Sequence, residues 1–334
     1  MDKKERNRTA ILSALSKMGE PASSRHLAEF LAAAGHSLSE RTVRLYLSDF
    51  DAEGLTASQG KRRRVITEKG MAELSTAQTL QRVGCLSAAI DRMTYDMTFD
   101  LVTRTGLVVV NTSLVDPRHL AACQEEVCKV FAGGYAMGDL LALLPPGETL
   151  GDLTVPKDKL GVCTVCSIML NGVLLKHGVP TTSRIRRDDL LRAGRPTRFA
   201  EMIYYEGTSI DPLEVFIRAG MTDYCGAITD GNGLIGASFR EMPENSRDMA
   251  VQLADRLSAV GLGGFLEIGW PDQPVLGLPV SPGRIGVIVI GGLNPMAVLV
   301  EKGYRISLRA LAGLLEYNRL FHFEELPKAL KEFL

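Results

Sequence analysis

The chain has 334 residues, 46% hydrophobic and 23% charged, the balance of a folded globular protein, which excludes a largely disordered one. Residues 1–83 carry 14 Lys/Arg against 10 Asp/Glu and the rest 24 against 29, so the mild cationic bias sits at the N-terminus, where it suits a polyanion partner. Six scattered cysteines exclude a secreted disulfide framework.

The charged start Met1–Arg6 leads into no apolar signal segment. The apolar run 285–300 is broken by Gly291-Gly292 and Asn294-Pro295, short of the ~20 residues of a membrane span. No membrane partner and a cytoplasmic location are expected.

In chain order, Ile11, Leu12, Leu15 and Met18 recur at helical spacing until Gly19-Glu20-Pro21 stops them. Ser23-Ser24 can cap a second helix holding Leu27, Phe30 and Leu31. Ser37-Leu38-Ser39-Glu40 reads as a capping box for a third helix, with Val43, Leu47 and Phe50 inward and Arg41, Thr42, Arg44, Leu45 and Ser48 outward. A strand at 55–58, a tip of Lys61, Arg62, Arg63 and Arg64, a strand at 65–67 and a helix through Leu74 follow.

This order predicts a winged helix-turn-helix over 1–78. Arg41, Thr42, Arg44 and Ser48 then face the major groove of double-stranded DNA, and Lys61–Arg64 its phosphates. A solvated charge run on a generic bundle is the alternative. The module resembles the winged-helix domain of ribonuclease R and of the archaeal nitrogen repressors.

A helical linker is predicted over 79–103 and a duplicated domain over 104–334. GVCTVCSIMLNGVLLKHG (161–178) and GVIVIGGLNPMAVLVEKG (286–303) align without a gap at an offset of 125, with five of eighteen columns identical. Chance gives about one at a match frequency of ~6%. Each copy, about 104–186 and about 231–322, reads strand, helix, strand, connection, strand, tight turn, helix. The first helix follows Asp116-Pro117 and buries Leu120, Val127 and Phe131, while its counterpart uses Met249, Leu253, Leu257 and Val260. The fold class is therefore α+β, a winged helix plus a duplicated α/β domain with pseudo-twofold symmetry.

In each copy a β run ends at small residues where a helix begins, Cys166-Ser167 and Gly291-Gly292. Free N–H groups there could hold an anion, or the small residues serve only close packing. In the inter-copy segment 187–230, Asp211 and Pro212 describe a short helix start, and Thr208, Ser209 and Asp211 crowd hydrogen-bonding groups into one turn.

Catalytic chemistry finds no support. Cys163 and Cys166 form a lone CxxC that the second copy lacks, and the five histidines show no metal-ligand spacing. No nucleophile elbow, phosphate loop or dinucleotide fingerprint appears. Neither a metal nor a cofactor is expected. A metabolic enzyme fused to a DNA-binding module is the competing reading.

VCSIMLNGVLLKHGVP (165–180), FAEMIYYEGTSIDPLEVFIRAGMT (199–222), ASFREMP (237–243) and IGGLNPMAVLVEKG (290–303) resemble the regulatory domain of the archaeal nitrogen repressors, NrpR, from about Arg82 to His322. The resemblance implies a repressor of nitrogen-assimilation genes, induced by 2-oxoglutarate and assembled as a homodimer or larger on a palindromic operator. A five-carbon dicarboxylate needs two anion-binding points and a partner for its keto oxygen. Arg240, the turns Cys166-Ser167 and Gly291-Gly292, and Asn171, Asn294, Thr208, Ser209 and Asp211 are the candidates.

Overall fold

The computed structural model describes residues 3–33, 36, 38–60, 63–192, 195–204 and 211–334. The chain divides into two compact units, Met1–Cys85 and Leu86–Leu334.

In the first unit α1 (Lys3–Met18) is followed by β1 (Ala22–Ser23), α2 (Ser24–Ala33), α3 (Glu40–Glu53), β2 (Thr56–Ser58), β3 (Arg63–Ile66) and α4 (Glu68–Asp96). Ile11, Leu12, Leu15, Leu27, Leu31, Val43, Leu47 and Phe50 form one core, each such side chain contributing ~1.5–3 kcal/mol on burial. Among the described residues the sheet order is β1-β3-β2, with Ala22 opposite Arg64 and Thr56 opposite Ile66. Three helices closed by this small antiparallel sheet make a winged helix-turn-helix.

Three details differ from the sequence reading. Phe30 is 37% exposed, because Leu27 and Leu31 already fill that stripe of α2. The cap of α3 is Ser39, in extended conformation, whose Oγ accepts from Thr42 N at 3.1 Å; Ser37 lies outside the described residues. Glu40 instead joins Arg44 and the Ser24 hydroxyl. The last helix does not stop near Leu74 but continues as α4 across the boundary between the units.

The second unit opens with β4 (Leu107–Val115), α5 (Pro117–Ala132), β5 (Leu140–Leu144), the short pair β6 (Thr149–Leu150) and β7 (Leu153–Thr154), β8 (Leu160–Val165) and α6 (Ile168–Lys176). A hairpin follows, β9 (Thr182–Arg192) and β10 (Arg195–Tyr204), then α7 (Pro212–Arg218) and α8 (Tyr224–Asp230). The second series is β11 (Gly233–Pro243), α9 (Arg247–Ser258), β12 (Phe265–Ile268), β13 (Arg284–Ile290), α10 (Asn294–Glu301) and β14 (Ser307–Glu316). β15 (Phe321–His322), α11 (Leu326–Ala329) and a 3-10 turn (Leu330–Phe333) follow.

Among the described residues two five-stranded antiparallel sheets form, ordered β14-β4-β8-β5-β15 and β10-β9-β11-β13-β12. The run β9-β11-β13-β12 repeats the order β14-β4-β8-β5. Register repeats too, since Val110 faces Val165 in one sheet and Ala237 faces Ile290 in the other, and Ile290 stands 125 residues after Val165.

The strand after α6 and the strand after α10 cross over. β9 pairs with β11 of the second series, and β14 with β4 of the first. The turns after α5 and α9 also cross: Asp139 N donates to Gly261 O at 2.9 Å. Gly138 has φ +75°, and a Cβ there would lie 2.2 Å from that carbonyl oxygen.

Asp116 caps α5 by accepting from Arg118 N, and Leu120, Val127 and Phe131 are buried. In α9, Met249 is 40% exposed and Ala250 takes the inward place beside Leu253 and Leu257. Pro243 and the 3-10 turn Glu244–Ser246 precede α9, and Leu253, Leu257 and Val260 keep their inward places.

Candidate nucleic-acid interface and effector site

α3 presents the face a DNA-reading helix needs. Val43, Leu47 and Phe50 point into the core at 0–2% exposure, while Arg41, Arg44, Leu45 and Ser48 are exposed. Thr42 is half-buried at the helix start, its hydroxyl 2.8 Å from Ser39 Oγ. Arg44 forms an ion pair with Glu40 one turn earlier, whose carboxyl is held below the ordinary range first by that bond and then by Ser24. Arg44 must leave, or share, that partner to reach a base or phosphate.

The helix is held from behind. Arg8 on α1 grips Glu53 through two bonds, of 2.9 and 2.5 Å, and lies 4.9 Å over the Phe50 ring.

The wing cations split into roles. Arg63 is exposed and available to a phosphate. Arg64 turns inward onto α3, its Nε and Nη2 both 2.9 Å from Asp51 Oδ2, while Thr56 Oγ1 donates to Asp51 Oδ1 at 2.6 Å. Arg64 therefore fastens β3 to α3. Lys61 and Arg62 lie outside the described residues. Sequence reasoning placed all four cations together because a run of like residues gives no sign of strand alternation once a turn residue is misplaced.

In the second unit the candidate effector residues fall into linked groups. Cys166 N donates to Val109 O at 2.9 Å and Gly291 N to Gly236 O at 2.8 Å, at matching positions of the two series. These two N–H groups continue the sheet ladders. The two turns abut, since a Cβ on Gly292 would lie 2.2 Å from Val165 O and 3.2 Å from Cys166 Cα. α10 begins at Asn294, with Leu293 as cap rather than Gly292. Ser167 caps α6 and is fully buried.

Asn294 is fully buried and its Nδ2 donates to Tyr135 O and Gly236 O, both at 2.9 Å. It ties the turn after α5 to β11. Asp211 caps α7 by accepting from Leu213 N at 2.9 Å. Leu213 then packs on the bare backbone of Gly236 and Gly291, where added Cβ atoms would lie 2.2 and 2.5 Å from its methyls. Glu214 beside it has its carboxyl pushed above the ordinary range by burial, countered by Arg218 and reinforced by Asp211. Thr208 and Ser209 lie outside the described residues.

Arg240, fully buried in β11, donates from Nη1 to Oδ1 of Asn171 on α6. A cation from the second series thus meets an amide from the first. The positions matching Arg240 and Asn171 are Ser113 and Met296, both fully buried, so the polar pair occurs on one side of the duplication.

Sequence reasoning passed over Tyr224, whose Oη accepts from Gly236 N at 2.7 Å, and Asn111, whose Oδ1 accepts from Leu311 N at 3.2 Å. A signal existed for Asn111: it interrupts an apolar strand where the second series has Ser238. None existed for Tyr224. The CxxC is a packing feature, for Cys163 and Cys166 are buried and burial pushes the Cys163 thiol up to about 11. Among the described residues no helix is long and apolar enough to cross a membrane.

A winged helix whose outward helix face carries Arg41 and Arg44, followed by an α/β unit of two like series, defines the architecture of a DNA-binding transcription regulator. Residues 83–322 match the NrpR regulatory domains NRD1 and 2, and residues 9–74 match the ribonuclease R winged-helix domain. The chain belongs to the NrpR family.

The global nitrogen regulator NrpRI of Methanosarcina mazei is 29% identical over 95% of this chain and 97% of that protein. The global nitrogen regulator NrpR of Methanococcus maripaludis is 31% identical over 93% of this chain and 54% of its own length. For its namesake in Methanocaldococcus jannaschii the figures are 30%, 97% and 56%, so the chain spans about half the length of these two. A solved nitrogen repressor-like protein from Methanococcus jannaschii shares the fold with a TM-score of 0.60 at 24% identity, over 71% of this chain and 97% of its own.

Proposed function

We propose that the chain is a DNA-binding repressor of nitrogen-assimilation-type genes, acting as a homodimer or larger and controlled by a small anionic metabolite such as 2-oxoglutarate. The observation that carries this reading is the pairing, in one NrpR-family chain, of an α3 that turns Arg41 and Arg44 outward with a buried Arg240–Asn171 contact between the two series. Arg240 supplies a planar fork of donors suited to a carboxylate, and Asn171 an amide suited to a keto oxygen. Shared strand order and register support a pseudo-twofold relation of the copies.

In a dimer, two α3 helices read half-sites one or more helical turns apart. The effector must bind the released state more tightly than the DNA-bound state for switching to occur. Its binding between the copies would bias their relative position and, through α4, the spacing of the half-sites.

Two measurements test this. A thermal-shift series with 2-oxoglutarate, glutamate and glutamine should single out 2-oxoglutarate, and no shift at millimolar concentration overturns that effector. Replacing Arg41 and Arg44 by Ala should weaken specific DNA binding, whereas Arg63→Ala should chiefly flatten its salt dependence. Unchanged binding in both overturns the DNA surface.

A further inference from the structure

Leu45 is the large apolar side chain that α3 exposes, at 63% exposure in the stretch that also holds Arg41, Arg44 and Ser48. At ~100° per residue, the core residues Val43, Leu47 and Phe50 define one side of the helix. Arg41 and Leu45 then share the centre of the opposite side, with Ser48 next to Arg41 and Arg44 farther round on that same flank. The isobutyl group of Leu45 thus stands where a helix entering the major groove meets base edges, and Asp49, one turn on, turns an anionic group out at the C-terminal side. That charge leaves the N-terminal half of α3 as the reading end.

We propose that Leu45 is a specificity residue that reads the C5-methyl group of thymine, beside a base read by Arg41. The inference rests on the DNA-binding reading given above. Of the four base pairs, only those with thymine offer an apolar group in the major groove, and a leucine there gains nothing from the polar edges of the others. Cytosine is disfavoured twice, because its N4 donor finds no acceptor on Leu45 and loses water. Arg41 has the five donors that pair bidentately with guanine O6 and N7. A half-site with a thymine adjoining a guanine is the expected result.

The test uses the full chain. Binding sites are selected from a randomised duplex pool, and affinity is measured by fluorescence anisotropy on the selected duplex. Each thymine is then replaced singly by deoxyuridine, which lacks only the methyl group. For the natural chain, one thymine per half-site should show a loss of about fourfold, the transfer free energy of one methyl group. In Leu45→Ala, and in the polar variant Leu45→Gln, that thymine should no longer distinguish the two bases, while sensitivity at the guanine persists.

The exposure of Leu45 keeps both variants folded, and circular dichroism checks this. The proposal is overturned if no thymine responds in the natural chain, or if the response survives undiminished in both variants. Selection that returns no site overturns the DNA-binding reading itself, a different result from a selected site indifferent to thymine methyls.

Discussion

Arg240, in the middle of β11, donates a hydrogen bond to Asn171 on α6, so a side chain from each series meets inside the second unit. Replacing Arg240 by Met keeps the volume and removes the charge. The replacement strands the Asn171 acceptor and should cost ~1–3 kcal/mol, so circular dichroism should show a folded protein with a lowered melting temperature. With 2-oxoglutarate at ~100 times its dissociation constant, the natural chain should gain about 2.7 kcal/mol. Arg240→Met should gain none by calorimetry, and an equal gain would remove Arg240 from the effector site.

The wing offers a separation of stability from binding. Asp51 receives Arg64 and Thr56 together, so Asp51→Ala should destabilise the first unit by ~1–3 kcal/mol through the donors it strands. Arg64→Ala, on a partly exposed pair, should cost at most ~1 kcal/mol. Arg63→Ala should leave stability unchanged and reduce the slope of log affinity against log salt by about one. Denaturant titration and anisotropy at several salt concentrations measure both effects.

Two glycines with positive φ give a controlled comparison. Gly147 has φ +86° and open space around it, whereas Gly138 has φ +75° and would press a Cβ against Gly261 O. Gly147→Ala should cost ~1–2 kcal/mol, the penalty for a left-handed L-residue. Gly138→Ala must also push one crossing backbone away from the other and should cost clearly more. Equal melting temperatures for the two variants would contradict the close crossing.

One ion pair bears on acid stability. Glu126 on α5 has its carboxyl held below the ordinary range, first by the hydrogen bond from Lys302, which follows α10. A depressed carboxylate stabilises the fold at pH above its unfolded value of about 4.3, and that contribution disappears as pH falls through the lower folded value. Glu126→Gln should therefore melt less steeply with acid between about pH 5 and pH 3, with unchanged slope near neutrality. Calorimetric melting across this range reads the difference.

Much of this was legible in the sequence for local reasons. Helix faces such as Val43, Leu47 and Phe50 follow from a 3.6-residue period, and the offset between Gly161 and Gly286 exposed the duplication that the paired registers express. The cap at Ser39 was misread because two serines compete within three residues and only backbone conformation decides between them. Met249 was taken as inward because Ala250, a small residue, weakens the period that marks the true stripe. The exchange of β9 and β14 was invisible, since either strand could equally pair within its own series. For the site, composition drew attention to Arg240, Asn171 and the small-residue turns, but it could not tell that the Cys166 and Gly291 N–H groups were already spent in the ladders.

The exchange of β9 and β14 makes each series depend on the other for a flanking strand. Neither series owns a full sheet, so a gene fragment encoding one of them would leave β4 or β11 with a bare edge and no neighbour from its own series to cover it. Separating the two series would therefore strip a flanking strand from both sheets at once. The link between the halves is made of shared backbone hydrogen bonds, as in two hands clasped rather than two palms pressed.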